Sequence, residues 1–337
     1  MRAALERRLV SRWYGERAAF WLLPLEGLYR AATALRRGLY RCGVLRVQRV
    51  GAPVVIVGNL TVGGTGKTPL VLWLAGQLQA RGWQPGIASR GYGGDGTRTA
   101  MRVLPQSDPD LVGDEALLLA QRSGGPVAIG ADRPAAAQLL LDAGADLVIA
   151  DDGLQHYALA RDVEIVVVDG QRGFGNGHCL PAGPLREPRA RLASAGAVVV
   201  QAPKNDALPV AGALRMVMRT VGVFPLGGGE ESSIESFAGQ RVHALAGIGN
   251  PERFFESLRL HGLDVVPHVF PDHTRFRRED IRFGDELPVL MTEKDAVKCA
   301  RFAGPEHWYV RVDAALAPAD AERLLALVTR VVEGSRA

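Results

Sequence analysis

A chain of 337 residues exceeds the ~100–200 residues of a usual domain, so two domains are expected, and 47% hydrophobic with 23% charged residues suits a folded protein, not a disordered one. Its three cysteines, Cys42, Cys179 and Cys299, are an odd number without a C-x-x-C pair, which argues against a disulfide framework or a zinc site and fits a reducing compartment. The net charge of +4 is lopsided: residues 1–49 hold eleven arginines against three glutamates, a basic segment on a body that is acidic by four charges.

The N-terminus lacks the charged start, apolar stretch and small-residue cleavage site of a secretory signal, so secretion is not expected. Its apolar run 20–25 is interrupted by Pro24 and falls short of the ~20 residues needed to span a bilayer. The pattern predicts a helix broken near Pro24. Beyond it Leu25, Leu28, Ala32, Leu35 and Leu39 gather into one apolar stripe, with Arg30, Arg37 and Arg41 roughly opposite. Trp13, Tyr14, Phe20 and Trp21 sit among arginines, a composition suited to a headgroup boundary. Segment 1–49 therefore reads as a basic amphipathic helix docking on an anionic membrane surface. The competing reading is a helix packed on its own domain with a solvated basic face.

From Pro53 short β-branched runs alternate with helical patterns. Strands are expected at 54–58, 87–89, 127–130, 147–150, 164–169 and 197–201, and helices at 68–80, 114–121 and 133–143. Apolar strands separated by helices indicate an α/β fold, a parallel sheet with helices on both faces, over residues 50–205. Ligands of such sheets sit at the carboxyl ends of the strands. Prolines and the Gly227-Gly228-Gly229 run break this rhythm, so 206–239 reads as a linker that could hold a β-ribbon. A smaller α/β domain follows at 240–315, with strands at 241–246, 264–270, 288–291 and 308–312. Its helices are expected at 251–260, shortly after 277, and at 293–301. Residues 316–337 close the chain with an amphipathic helix whose domain is open at this stage.

The first strand leads into Thr61-Val62-Gly63-Gly64-Thr65-Gly66-Lys67-Thr68 and then a helical pattern. This is the context of a phosphate loop: glycines turn backbone N–H groups toward phosphates, lysine reaches the terminal ones, and a hydroxyl holds Mg²⁺. Thr61, Gly63, Gly64, Thr65, Gly66, Lys67 and Thr68 are thus nucleotide-binding candidates, with Thr61 standing where the motif has its first glycine. Asp151 and Asp152 end a buried strand beside that loop, where nucleotide-bound Mg²⁺ is held. Adjacent carboxylates repel each other in a partly desolvated cleft, a cost that a divalent cation offsets. Asp151, Asp152 and Thr68 are therefore the metal candidates, against the alternative of a helix N-cap for the aspartates. The residues say Mg-nucleotide enzyme and leave the acceptor open.

The stretches 59–69 (Asn-Leu-Thr-Val-Gly-Gly-Thr-Gly-Lys-Thr-Pro), Ser89-Arg90-Gly91-Tyr92-Gly93, Gly113-Asp114-Glu115 and Asp151-Asp152-Gly153-Leu154-Gln155-His156 together resemble the tetraacyldisaccharide 4'-kinase family. So do Leu180 to Glu187, Phe270-Pro271-Asp272-His273 and Thr292-Glu293-Lys294-Asp295-Ala296. The resemblance implies a P-loop domain joined by a two-stranded linker to a smaller α/β domain. It further implies transfer of the γ-phosphoryl of ATP to the 4'-hydroxyl of tetraacyldisaccharide 1-phosphate, giving lipid IVA, with ATP and Mg²⁺ as cofactors and a peripheral place on the cytoplasmic face of the inner membrane. Carried onto this sequence, Lys67 and Thr68 serve phosphates and metal with Asp151 and Asp152, Asp114 is the catalytic base, and His273 orients or tunes it. Arg133 is expected as a charge partner of the transferred phosphoryl group, since a guanidinium matches phosphate oxygens in a fork. Tyr92, His156, Arg186 and Glu187 are expected to contact the substrate. Leu154 and Thr274 depart from the family's usual residues, with acceptor fit as the expected consequence, and the motif at Lys294 and Asp295 has no evident task. A monomer is expected, and no nucleic-acid partner, because no such module is present and the body is acidic. The rival reading is a membrane-associated P-loop ATPase that acts as a switch.

Overall fold

Runs of valine, isoleucine and alanine can be buried on both faces only in the middle of a sheet covered on both sides. The computed structural model, which describes residues 12–15, 18–96, 99–203 and 206–334, places them there. Its central strand β1 (Val54–Gly58) lies between β5 (Leu147–Asp151) and β6 (Val163–Asp169), both parallel to it. Outward from β5 come β2 (Pro85–Ser89), β4 (Val127–Ile129) and the short antiparallel edge β3 (Met101–Val103). Outward from β6 come β7 (Ala197–Gln201) and β8 (Leu214–Pro225).

The sheet does not stop at β8. β12 (His307–Leu316) pairs antiparallel with it from Trp308↔Pro225 to Leu316↔Met216, and beyond β12 lie β11 (Val289–Thr292), β9 (Arg241–Ala246) and β10 (Asp264–Val269), mutually parallel. Within the expected linker 206–239, Leu214–Pro225 form the twelve-residue β8, built into one 12-stranded sheet where it pairs with β12.

Helices cover both faces. α2 (Lys67–Gln79), α4 (Asp114–Arg122), which follows the single turn α3 (Pro109–Val112), and α8 (Pro318–Gly334) share one core with Val55, Val57, Ile149, Ile165 and Val199. α8 thus returns to the first half, which answers the question the sequence left open. α5 (Arg133–Asp142) covers the opposite face with Ile56, Val148 and Ala150. In the second half α6 (Pro251–Leu260) packs Phe254, Phe255 and Leu258 on one face, and α7 (Glu293–Cys299) packs Ala296 and Cys299 on the other. Each fully buried valine, leucine, isoleucine or phenylalanine among them contributes about 1.5–3 kcal/mol of transfer free energy.

The N-terminal helix α1 (Leu23–Arg41) carries Pro24 in its first turn, where proline is favoured. Its polar side, not its apolar side, holds the body: Glu26 Oε1 accepts from the Cys179 N–H at 2.9 Å, Glu26 Oε2 lies 2.7 Å from His178 Nδ1, and the Tyr29 hydroxyl donates to the Arg186 carbonyl at 2.9 Å. The stripe of Leu25, Leu28 and Leu35 points outward, with Leu28 69% and Leu35 65% exposed, and Phe20 and Trp21 are exposed beside it. Trp13 and Tyr14 behave otherwise: Trp13 Nε1 donates to the Pro181 carbonyl and Tyr14 lies under Arg172, so both rest on the body. Arg2, Arg7, Arg8 and Arg17 of the basic segment lie outside the described residues. Among the described residues no helix is long and apolar enough to cross a membrane.

Candidate active site

The loop after β1 is shaped by its own side chains. Asn59 Nδ2 donates to the carbonyls of Thr61 (2.8 Å) and Gly63 (3.2 Å), while its Oδ1 accepts from Lys67 Nζ at 3.2 Å. Gly66 caps α2 with φ of 86°, left-handed backbone that a side chain would strain, and a Cβ there would lie 3.1 Å from Gln201 and Met216. The result is a helix N-terminus with N–H groups turned outward, which favours phosphate. Gly63, Gly64, Thr65, Gly66, Lys67 and Thr68 line a cleft of about 1490 Å³. Thr61 does not: it is buried behind the loop, bridged to Leu185.

Across from the loop, β5 delivers the two aspartates in different states. Asp152, at φ of 51°, faces the cleft, with Arg186 Nη1 2.9 Å and Lys67 Nζ 3.5 Å from Oδ1. Burial pushes its carboxyl up, but Lys67 and Arg186 outweigh this and hold it at about 2. Asp151 is fully buried, and burial together with the charges of Glu115 and Asp152 raises its pKa despite Lys67 and Arg133. Its Oδ1 has no hydrogen-bond partner among the described residues. An orphaned, desolvated carboxylate oxygen beside a phosphate loop suits a divalent cation. Among the described residues no three metal-ligating side chains cluster, so such a cation would need nucleotide phosphates to complete its shell.

The expectation for Arg133 needs correction. Its side chain is 1% exposed and donates to the carbonyls of Gly130 and Asp151, and burial lowers its pKa to about 10. It supports the end of β5 from behind, while Arg186 and Arg90, the latter not singled out from sequence, line the cleft. His156 also lines it, with a pKa lowered to about 4 by burial and by Arg133 and Arg90. Glu187 reaches the wall but is committed to the Tyr157 hydroxyl and to Arg191, whose Nε lies 3.7 Å away. Leu154, one departure from the family pattern, is core, while the Thr274 hydroxyl, at the other, bonds the Pro271 carbonyl.

Two remote segments then meet. Asp114, the first residue of α4, follows Gly113, whose φ of 85° and close approach to the Tyr92 carbonyl (2.6 Å from a would-be Cβ) admit only glycine. His273, in the loop after β10 and itself at φ of 59°, places Nδ1 3.1 and 3.2 Å from the Asp114 oxygens. The Tyr92 ring packs 4.8 Å from the imidazole. Burial pushes the Asp114 carboxyl up, yet the His273 bond and the charges of Lys294 and Lys298 hold it at about 2. His273 lines the cleft, whereas Asp114, 3% exposed, stands behind it. The imidazole, not the carboxylate, is therefore the group that meets the cleft.

One fold thus presents a phosphate loop, a paired aspartate and a carboxylate–imidazole pair around one cleft, with an amphipathic helix at its mouth: Tyr29, Thr33 and Arg36 of α1 line it too. A family model for tetraacyldisaccharide-1-P 4'-kinase matches residues 18–331. The tetraacyldisaccharide 4'-kinase of Nitrosococcus oceani is 47% identical over 323 residues, 95% of this chain and 94% of that one. That of Alkalilimnicola ehrlichii is 51% identical over 332 residues, 94% and 98%. The crystal structure of LpxK from Aquifex aeolicus in complex with ATP superposes with a TM-score of 0.78 at 28% identity, covering 92% of this chain and 98% of that one. Matched over nearly its whole length in sequence and in fold, this chain belongs to the tetraacyldisaccharide-1-P 4'-kinase family.

Proposed function

We propose that this chain transfers the γ-phosphoryl group of ATP to the 4'-hydroxyl of a tetraacyldisaccharide 1-phosphate, yielding lipid IVA and ADP, while resting on the surface of a membrane. The observation that carries the reading is the phosphate loop and His273, bonded to Asp114, lining one cleft in a member of this family.

The chain of Gly63 to Thr68 and the start of α2 would cradle the β- and γ-phosphates, with Lys67 exchanging Asn59 and Asp152 for phosphate oxygens. Arg186 and Arg90 supply guanidinium donors for charge that gathers on the transferred group. Thr68, Asp151 and Asp152 would hold Mg²⁺, which would supply positive charge against the phosphates when bound. The acceptor oxygen attacks phosphorus as the bond to the β–γ bridging oxygen breaks. His273 takes the hydroxyl proton on its cleft-side nitrogen, and Asp114 holds the opposite Nδ1–H and stabilises the imidazolium that forms. Such a pair typically contributes about 10²–10⁴-fold to rate.

The outward stripe of α1 supports membrane docking, and the same helix lines the cleft, so acyl chains can stay in lipid while the sugar enters beside Tyr29 and Thr33. Anionic lipid, the cytoplasmic face of the inner membrane and a monomeric enzyme belong to the same proposal. Incubation with γ-labelled ATP and the lipid acceptor tests it: label should enter the lipid at the 4' position. Release of free phosphate alone would favour the ATPase switch instead.

A further inference from the structure

The Thr292-Glu293-Lys294-Asp295 motif finds its task at the seam between the two halves. Thr292 caps α7, accepting from the Asp295 N–H, and its hydroxyl donates to Asp295 Oδ2 at 2.6 Å. That turns Asp295, fully buried, inward, where Oδ2 also accepts the Gly247 N–H at 2.9 Å. Its other oxygen forms an ion pair with Lys298 Nζ at 2.9 Å, and Lys298 Nζ lies 3.3 Å from Asp114 Oδ2. A row of alternating charge results, Asp295, Lys298, Asp114, and it ends on the His273 imidazole. Its ends belong to the second half and Asp114 to the first.

Lys298 is 7% exposed, passes over the Phe276 ring and does not line the cleft in which nucleotide and acceptor would bind. Lys294, one turn earlier, lines the cleft and pairs with Glu115 (2.9 Å) and Asp272 (3.0 Å), standing 4.0 Å from Asp114. The charged groups facing Asp114 are thus His273, Lys294 and Lys298, with Glu115 and Asp272 behind Lys294 and Asp295 behind Lys298. A carboxylate this buried keeps its charge only if cations are fixed beside it. Protonated, it could not anchor the imidazolium that proton transfer creates.

We propose that Lys298 is a positioning residue for phosphoryl transfer, fixed by Asp295, and that it keeps Asp114 ionised and aligned with His273 only while α7 is seated against α4. The proposal rests on the reading that this pair takes the acceptor's proton. It also gives the seam a second contact to report: Gly249, two residues beyond the Gly247 that Asp295 holds, approaches the phosphate loop, where a Cβ would lie 3.2 Å from the Gly64 nitrogen.

The experiment is the pH profile of lipid phosphorylation for the full chain and for Lys298→Met, Lys298→Arg, Asp295→Asn and Asp114→Asn, each with its melting temperature and its KM values. Lys298→Met should lower kcat about tenfold or more, with KM for ATP and lipid nearly unchanged, and move the acid limb to higher pH because Asp114 then ionises less readily. Arginine at 298 should restore both. Asp295→Asn leaves Lys298 to Asp114 alone and should move the limb the opposite way. A folded Lys298→Met enzyme with unchanged kcat and limb, beside an inactive Asp114→Asn, overturns the positioning role and leaves the proton-acceptor reading standing. Full turnover in Asp114→Asn overturns both. If Lys298→Met does not fold, an unmoved limb in Asp295→Asn is the overturning result.

Discussion

Asp114 and His273 are separated by 159 residues, yet their side chains meet at 3.1 Å, one rising from the start of α4 and the other from the loop after β10. Neither half holds the pair alone, so the chemistry assigned to it requires both halves in register. Replacing His273 with asparagine should lower kcat for lipid phosphorylation about 10²-fold or more while nucleotide affinity stays near that of the parent chain. Parallel loss of ATP binding would mean that the residue serves the nucleotide instead.

Lys67 already rests between Asn59 and Asp152, at 3.2 and 3.5 Å. Lys67→Met removes the charge that meets the terminal phosphates and should lower turnover by about 10²-fold or more. Equilibrium binding of a fluorescent ATP analogue, measured beside the lipid assay, separates binding from chemistry. Intact values in both would remove the loop from the mechanism.

On α1 the exposed leucines predict a membrane effect without a folding effect. Leu28→Gln and Leu35→Gln together should weaken sedimentation with anionic vesicles by tenfold or more, since each leucine inserted is worth about 1.5–3 kcal/mol. The melting temperature should not fall, because neither side chain packs on the body. A lower melting temperature with unchanged vesicle binding would support the packed-helix reading.

Gly113→Ala should destabilise the fold by about 1–3 kcal/mol, as its φ of 85° strains any side chain and a Cβ meets the Tyr92 carbonyl. Because Asp114 follows directly, turnover should fall further than the loss of folded protein explains. Denaturant titration paired with the kinase assay distinguishes the two effects.

Acid should weaken the fold in two steps. His156, lowered to about 4 chiefly by burial, takes up a proton in the unfolded chain first, so stability is present above about pH 6.5 and declines as pH falls toward 4. Asp114 and Asp152, held at about 2 against the upward push of burial, add a second loss as pH falls from about 4 toward 2. Melting temperatures across that range should show both steps, and His156→Gln should flatten only the first. Asp151 acts with opposite sign: burial raises its pKa, so ionising it as pH rises costs stability. Mg²⁺ with nucleotide should therefore stabilise the protein more at pH 8 than at pH 5, scales set by the ordinary and raised carboxyl pKa.

The core of the fold was legible where hydrophobic runs are continuous: β1, β7 and β9 and helix α6 fall where valine-rich stretches and the Asn-Pro start place them. β8 was legible only as a ribbon that the linker could hold, because prolines and glycines bracket it and its side chains are only intermittently buried, the pattern of a strand between two halves and not within one. The edge strand β3 was missed where the equally short β4 was not, because an exposed arginine interrupts its three residues while β4 is apolar throughout. In the site, contiguous motifs found the phosphate loop and the aspartates. Depth was not encoded in them: Arg133 and Thr61 sit behind the cleft wall, and Asp114 lies behind His273. The partnership of Asp114 with His273 came from family resemblance, since no spacing rule joins residues that far apart. Lys298 escaped notice although it stands one turn beyond Lys294 on the same helix, because nothing in the sequence shows which way α7 faces.

The long pairing of β8 with β12 carries a mechanical consequence. Each strand is also bonded to a parallel neighbour on its far side, β7 and β11, so the halves are planks of one floor and not doors on a frame. The register slips between Arg311 and Val312, in the middle of this seam, and such an irregularity raises the local twist of the strand pair. The angle at which the two halves face each other across the cleft is thus written into backbone pairing, not into a hinge of loose chain.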